Sequence, residues 1–163
     1  LSLQRKIGAG LSPEEFRRLV EAGAIRHVGL PESAQAVAAA MGWQLSRLDD
    51  NIEPILAHAR IASGLGDILP GQVTGVHQTA TGYVGDRPVL ALDLEMAVGV
   101  DNPRDEIEIS GEPPIQLVLP GGLHGDVATA AIVVNAIPRV VAASPGLHTM
   151  QDLPPPHSLG ATG

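Results

Sequence analysis

The sequence predicts an α+β fold: two N-terminal helices, a mainly antiparallel or mixed sheet of about 4–6 strands, and one long buried helix near the C-terminus. Three observations predict it. Ser12-Pro13-Glu14-Glu15 has the chemistry of a helix start. Between residues 43 and 119 the pattern changes to alternating segments separated by Gly, Asp, Asn and Pro. Residues 126–143 are then apolar on nearly every side, the pattern of a helix covered all round.

Each element has its own grounds. Leu1, Leu3 and Ile7 alternate imperfectly, as at the tail of a strand. In the first helix Ser12 can cap, Pro13 stands where a missing N–H costs nothing, and Glu15 completes a capping box. Phe16, Leu19, Val20 and Ala24 continue one apolar face, and Gly23 marks the end. A second helix is expected over 32–41, with Ala34, Val37, Ala38 and Met41 at helical spacing and Gly42 as its stop. The segment 43–61 holds at least one strand, broken near Asp49-Asp50-Asn51. Further strands are expected at 72–84, 89–100, 106–110 and 115–119. The turns between them, Gly85-Asp86-Arg87-Pro88 and Asp101-Asn102-Pro103-Arg104, are tight, which means antiparallel pairing. The last helix begins on Asp126 as N-cap and should kink at Pro138. Residues 1–150 make one domain on this reading, and the Pro-rich 151–163 a loose tail.

Composition excludes several functions. With 18 acidic residues against 10 basic ones, the chain carries a net charge of −8 and would repel a phosphate backbone. Its aromatic residues are Phe16, Trp43 and Tyr83, too few to stack bases, so nucleic acid is not an expected partner. The chain has no cysteine, which removes disulfides and thiolate metal sites and fits a reducing cytoplasm. The longest apolar run, 127–143, contains Thr129, Asn135, Pro138 and Arg139 and falls short of the ~20 residues of a membrane span. A start at Leu1 reads as a piece of a larger protein.

Four stretches could carry chemistry. Gly8-Ala9-Gly10 follows Lys6 and leads into the Ser12 cap, but a dinucleotide fingerprint would need a third small residue where Pro13 stands. What is left is either an anion loop at a helix N-terminus, with Lys6 as an added charge, or a tight turn. His27 lies in the Gly/Pro connector Ile25-Arg26-His27-Val28-Gly29-Leu30-Pro31-Glu32-Ser33, lining a cleft or on the surface, and Glu32 suits a helix's first turn. Asp93 and Glu95 share one strand face, as an acid–base pair or as the wet side of a sheet. His124-Gly125-Asp126 and Thr129 stand at the mouth of the last helix, and Asn135 lies one turn before Pro138, where its amide could satisfy a freed backbone group. The six histidines never reach a local metal-ligand spacing, so no metal is expected.

Taken together, Gln4-Arg5-Lys6-Ile7-Gly8-Ala9-Gly10, the Ile25–Ser33 connector, His124-Gly125-Asp126-x-Ala128-Thr129, Val134-Asn135-Ala136-Ile137-Pro138 and Pro145-Gly146-Leu147 occur in an order that resembles the C-terminal part of dihydrodipicolinate-reductase-like proteins. Within that family the chain is similar to the branch of 2,4-diaminopentanoate dehydrogenase and native amine dehydrogenases. The resemblance implies an oxidoreductase acting on C=N or C–NH2, with NAD or NADP held mainly by an N-terminal Rossmann domain outside this chain, so that the fragment alone is inactive. It also implies a homo-oligomer, a cytoplasmic location and a small, carboxylate-bearing substrate. Lys6 is the positional counterpart of the family's substrate-holding Lys, although Leu3, Gln4 and Arg5 replace the His-His signature that precedes that Lys in the dihydrodipicolinate reductases themselves. On this implication Lys6 and His27 are catalytic, Gly8, Gly10 and Glu32 contact substrate, and Asp126, Thr129 and Asn135 face the nicotinamide. The competing reading is a non-catalytic assembly domain whose sheet joins subunits.

Overall fold

The computed structural model describes residues 2–157, which form two compact units, one up to Val100 and one from Asp101 onward. In the first unit the chain starts as a helix, α1 (Ser2–Lys6), and not as the end of a strand. Gln4, Arg5 and Lys6 favour helix, and the Ile7 N–H donates to the Leu3 carbonyl at 3.0 Å. The next helix, α2 (Pro13–Glu21), opens on the expected capping box: the Ser12 hydroxyl accepts from the Glu15 N–H, and the Glu15 carboxylate accepts from the Ser12 N–H, both at 3.2 Å. It buries Phe16 completely and ends just before Gly23, whose φ of +70° suits glycine. The third helix, α3 (Gly29–Ala40), starts three residues earlier than expected, because Pro31 in a first turn gives up an N–H the helix does not use.

The strands of this unit are β1 (Arg47–Leu56), the short pair β2 (Ile61–Ser63) and β3 (Gly66–Ile68), then β4 (Val73–Val84) and β5 (Arg87–Ala97). The three long ones form an antiparallel sheet in the order β1-β4-β5, while β2 and β3 make a separate hairpin. β1 runs unbroken through Asp49-Asp50-Asn51, where an interruption was expected; Asp50 keeps its place because its carboxylate is bonded from Arg26 and Gln78. Along β4, Val76, Gln78, Ala80 and Gly82 are buried, and α3 lies against this strand and β5. The alternate residues His77, Thr79, Thr81 and Tyr83 are more open. Gly75 is required by the sheet itself, since a Cβ there would stand 2.0 Å from the Met96 carbonyl oxygen. The core joins Ile7, Phe16, Ile25, Ala57, Ile68, Val73 and Val76, so loops and helices at the N-terminus are welded to the start of β4.

The second unit contains a hairpin of β6 (Arg104–Ile109) and β7 (Ile115–Pro120), followed by α4 (Gly125–Ala142). Strict alternation puts Ile107, Ile109, Ile115 and Leu117 on one hairpin face, all exposed. α4 stands where expected and contains Pro138, but none of its residues is buried among the described residues: Val133 and Val141 are 61% and 80% exposed. The all-round apolar pattern therefore marks a helix that the hairpin of its own unit leaves uncovered. Its N-cap is His124, not Asp126, and no side chain caps it; Asp126 sits inside the first turn as an acid beside the positive end of the dipole. At 18 residues and a mean hydropathy of 1.4, α4 is long and apolar enough to cross a membrane by length and composition, a property it shares with interior helices of soluble proteins.

Candidate functional site

The opening loop is tied down by its own amides. The N–H groups of Gly8, Ala9, Gly10 and Leu11 donate to the carbonyls of Arg5, Gln4, Val73 and Gly8, and that of Ser12 donates to Glu15. An incoming anion would have to displace these bonds, and the Glu15 carboxylate already sits at the helix start. Gly8 serves packing: at φ +76° it is buried, and a Cβ would lie 2.8 Å from Phe16 and 3.0 Å from Ile25. Gly10, at φ +86°, turns the chain toward β4, and its carbonyl accepts from the Gln72 amide at 3.0 Å. Lys6, the last residue of α1, is exposed. The contact of Gly8 with Ile25 brings the Lys6 loop against the connector that carries His27, so these two stretches, far apart in sequence, share one edge of the core.

That connector is held by a buried amide. Gln78, fully enclosed in the middle of β4, accepts from the His27 N–H at 2.9 Å and donates to the Asp50 carboxylate at 2.8 Å and to the His27 carbonyl at 3.4 Å. The other Asp50 oxygen accepts from Arg26 at 3.0 Å. The His27 backbone is thus fixed from the sheet, while the residue itself is exposed, its ring lying over Gly29, where a Cβ would come within 3.1 Å. Glu32 is exposed in the first turn of α3. Neither Gln78 nor Asp50 stands out in the sequence; a single glutamine inside a run of β-formers was the available signal.

On the more open sheet face, His77 is paired with Glu95 across the β4–β5 ladder and hydrogen-bonds both oxygens of Asp93, at 3.0 and 3.1 Å. One ligand atom from each of His77, Asp93 and Glu95 lies within 4.8 Å of the others, close enough to hold a divalent cation. Local spacing could not show this, because strand register supplies the histidine.

In the second unit, Asp126 and Thr129 are exposed and Asn135 is half-buried. At about 100° per residue, Asp126 and Thr129 fall on one side of α4 and Asn135 on the opposite side. A single ligand edge can therefore meet the first two from this helix, but not all three. Farther along the same side as Asp126 and Thr129, Ile132, Val133, Ala136, Ile137, Val140 and Val141, with Met150, line an open apolar groove. Asp152 is held below the ordinary carboxyl range by the Thr149 hydroxyl and N–H, both donating to it.

Residues 2–162 match the family described as 2,4-diaminopentanoate dehydrogenase C-terminal domain. The chain is 34% identical over 166 residues to the 2,4-diaminopentanoate dehydrogenase of Acetoanaerobium sticklandii, covering 93% of this chain and 45% of that protein. Its fold is similar to that of an amine dehydrogenase from Mycobacterium smegmatis, with a TM-score of 0.81 and 27% identity, over 97% of this chain and 48% of the other. The chain thus spans about half the length of the proteins it matches.

Proposed function

Because the chain belongs to the family of 2,4-diaminopentanoate dehydrogenase C-terminal domains, we propose that it is the substrate-binding and assembly part of an NAD(P)-dependent oxidoreductase acting on a C–NH2 or C=N centre. The observation that carries the reading is the family match along almost the whole chain, joined to two relatives that are themselves dehydrogenases. The relatives imply a nicotinamide cofactor, which when bound exchanges a hydride with the substrate carbon. Asp126 and Thr129, exposed on one side of α4, are the pair that could reach its polar edge, whereas Asn135 on the opposite side suits a backbone or packing role. The rest of the dinucleotide would rest on an N-terminal domain of the same cytoplasmic protein.

On this reading Lys6 offers an ammonium to a substrate carboxylate as a point charge, with the Gly8–Gly10 loop acting through shape more than through its occupied amides. His27 offers an imidazole that can take or give a proton at the substrate nitrogen. The open apolar faces of α4 and of the β6–β7 hairpin favour an added role in assembly, and by themselves they would also suit a purely structural domain. Both roles separate in one experiment on the full-length enzyme, assayed with 2,4-diaminopentanoate and NAD(P)+. Lys6→Ala and His27→Ala should each lower kcat/KM by on the order of 10²-fold while leaving the sedimentation coefficient unchanged. Unchanged rates in correctly assembled variants would leave only the assembly role.

A further inference from the structure

We infer that Gln78 is a positioning residue for His27, setting the imidazole's place from the middle of the sheet without touching substrate itself. The inference rests on the proposed role of His27 in the substrate pocket.

Gln78 is 0% exposed and lies between Val76 and Ala80 on the buried face of β4, where an apolar residue would pack at no polar cost. Its amide is instead used at both ends. The oxygen accepts from the His27 N–H at 2.9 Å; the nitrogen reaches the His27 carbonyl at 3.4 Å and the Asp50 carboxylate at 2.8 Å. Both backbone polar groups of a single residue are therefore engaged by one side chain 51 positions away. His27 has no helix or strand to fix it, lying between the end of α2 and the start of α3. Asp50, anchored in turn by Arg26 at 3.0 Å, holds the amide in the orientation that presents its oxygen to His27. Gly29 leaves the space over which the ring lies. A buried amide satisfied in this way rigidifies the segment it binds, and here that segment carries the proposed proton-handling group.

The test uses the full-length enzyme with 2,4-diaminopentanoate as the varied substrate. Gln78→Met keeps the volume and removes both ends of the amide. It should lower kcat/KM for 2,4-diaminopentanoate about tenfold while the KM for the nicotinamide stays within about twofold. Added to His27→Ala, it should have no further effect on either constant, because its influence passes through the missing ring. A loss of activity matched by an equal loss of folded protein in far-ultraviolet circular dichroism would overturn the inference, as would full additivity in the double variant. If His27→Ala alone changes nothing, the reading of His27 falls and takes this one with it; if His27→Ala matters and Gln78→Met adds to it, only the positioning role falls. A measurement on the unmodified protein guards against a variant that does not fold: the His27 amide should exchange with solvent as slowly as those of β4, and fast exchange would count against the clamp.

Discussion

The two units of this chain are built on opposite principles. Up to Val100, a buried cluster centred on Phe16, Ile25, Val73 and Val76 joins the N-terminal helices to a sheet, and the unit contains all three aromatic residues. Beyond it, the hairpin and α4 are at least as apolar in pattern but leave their apolar faces open. An isolated two-stranded hairpin is marginal in water, and a bare helix needs a packed face to persist. The contrast teaches that hydrophobic periodicity identifies which face seeks cover, but not whether the cover belongs to the same chain.

Cutting an apolar side chain in each unit should have very different consequences. Phe16→Ala removes a fully buried ring and should lower the stability of the first unit by about 3–5 kcal/mol, read from the denaturant midpoint of Trp43 fluorescence. Val141→Ala, at a position 80% exposed, should move the helical circular-dichroism transition of the same chain by no more than about 0.5 kcal/mol. Equal effects would mean that α4 is covered within the chain after all.

A smaller effect lies at the surface of the first unit. Ser12→Ala removes one half of the reciprocal cap on α2 and should cost about 1 kcal/mol at the same Trp43 midpoint. A cost near zero would show that Phe16 packing alone holds the helix start. Because the capping box also occupies the Glu15 carboxylate, this variant loosens the region next to the Gly8–Gly10 loop without touching Lys6.

What the sequence made legible follows from the range of each interaction. The cap at Ser12, the stops at Gly23 and Gly42, the turn at Gly85 and the alternation from Val73 onward are local, and all were readable from neighbouring residues. The candidate site was readable only in part. The order of short motifs pointed to the family, and Lys6 and His27 came from that order. The clamp through Gln78 and Asp50 and the His77–Asp93–Glu95 cluster depend on strand register, which residue spacing does not encode. The misplaced strand at Ser2–Lys6 and the broken one at Asp49–Asn51 have related causes: a short helix was hidden by its chance alternation, and an acidic run was stabilised by partners on other elements.

The smallest effect is expected in the second unit. On the polar face of the hairpin, Glu106 accepts from the Gln116 amide at 2.7 Å and from Arg104 at 3.0 Å. These hydrogen bonds, the one from Gln116 first, lower its pKa below the ordinary 4.5. The lowered value means that the ionised form is favoured in the fold, so its contribution is present above pH 4.5 and is lost as pH falls through the depressed value. Glu106 is solvent-exposed, so screening keeps that contribution small. Carbon-13 titration of the Glu106 carboxyl should show a midpoint under 4.5, and Gln116→Leu should move it back toward that value. A midpoint indifferent to Gln116→Leu would mean that the hairpin's polar face is not ordered in solution. The second unit would then need a covering surface to define even the side it turns toward water.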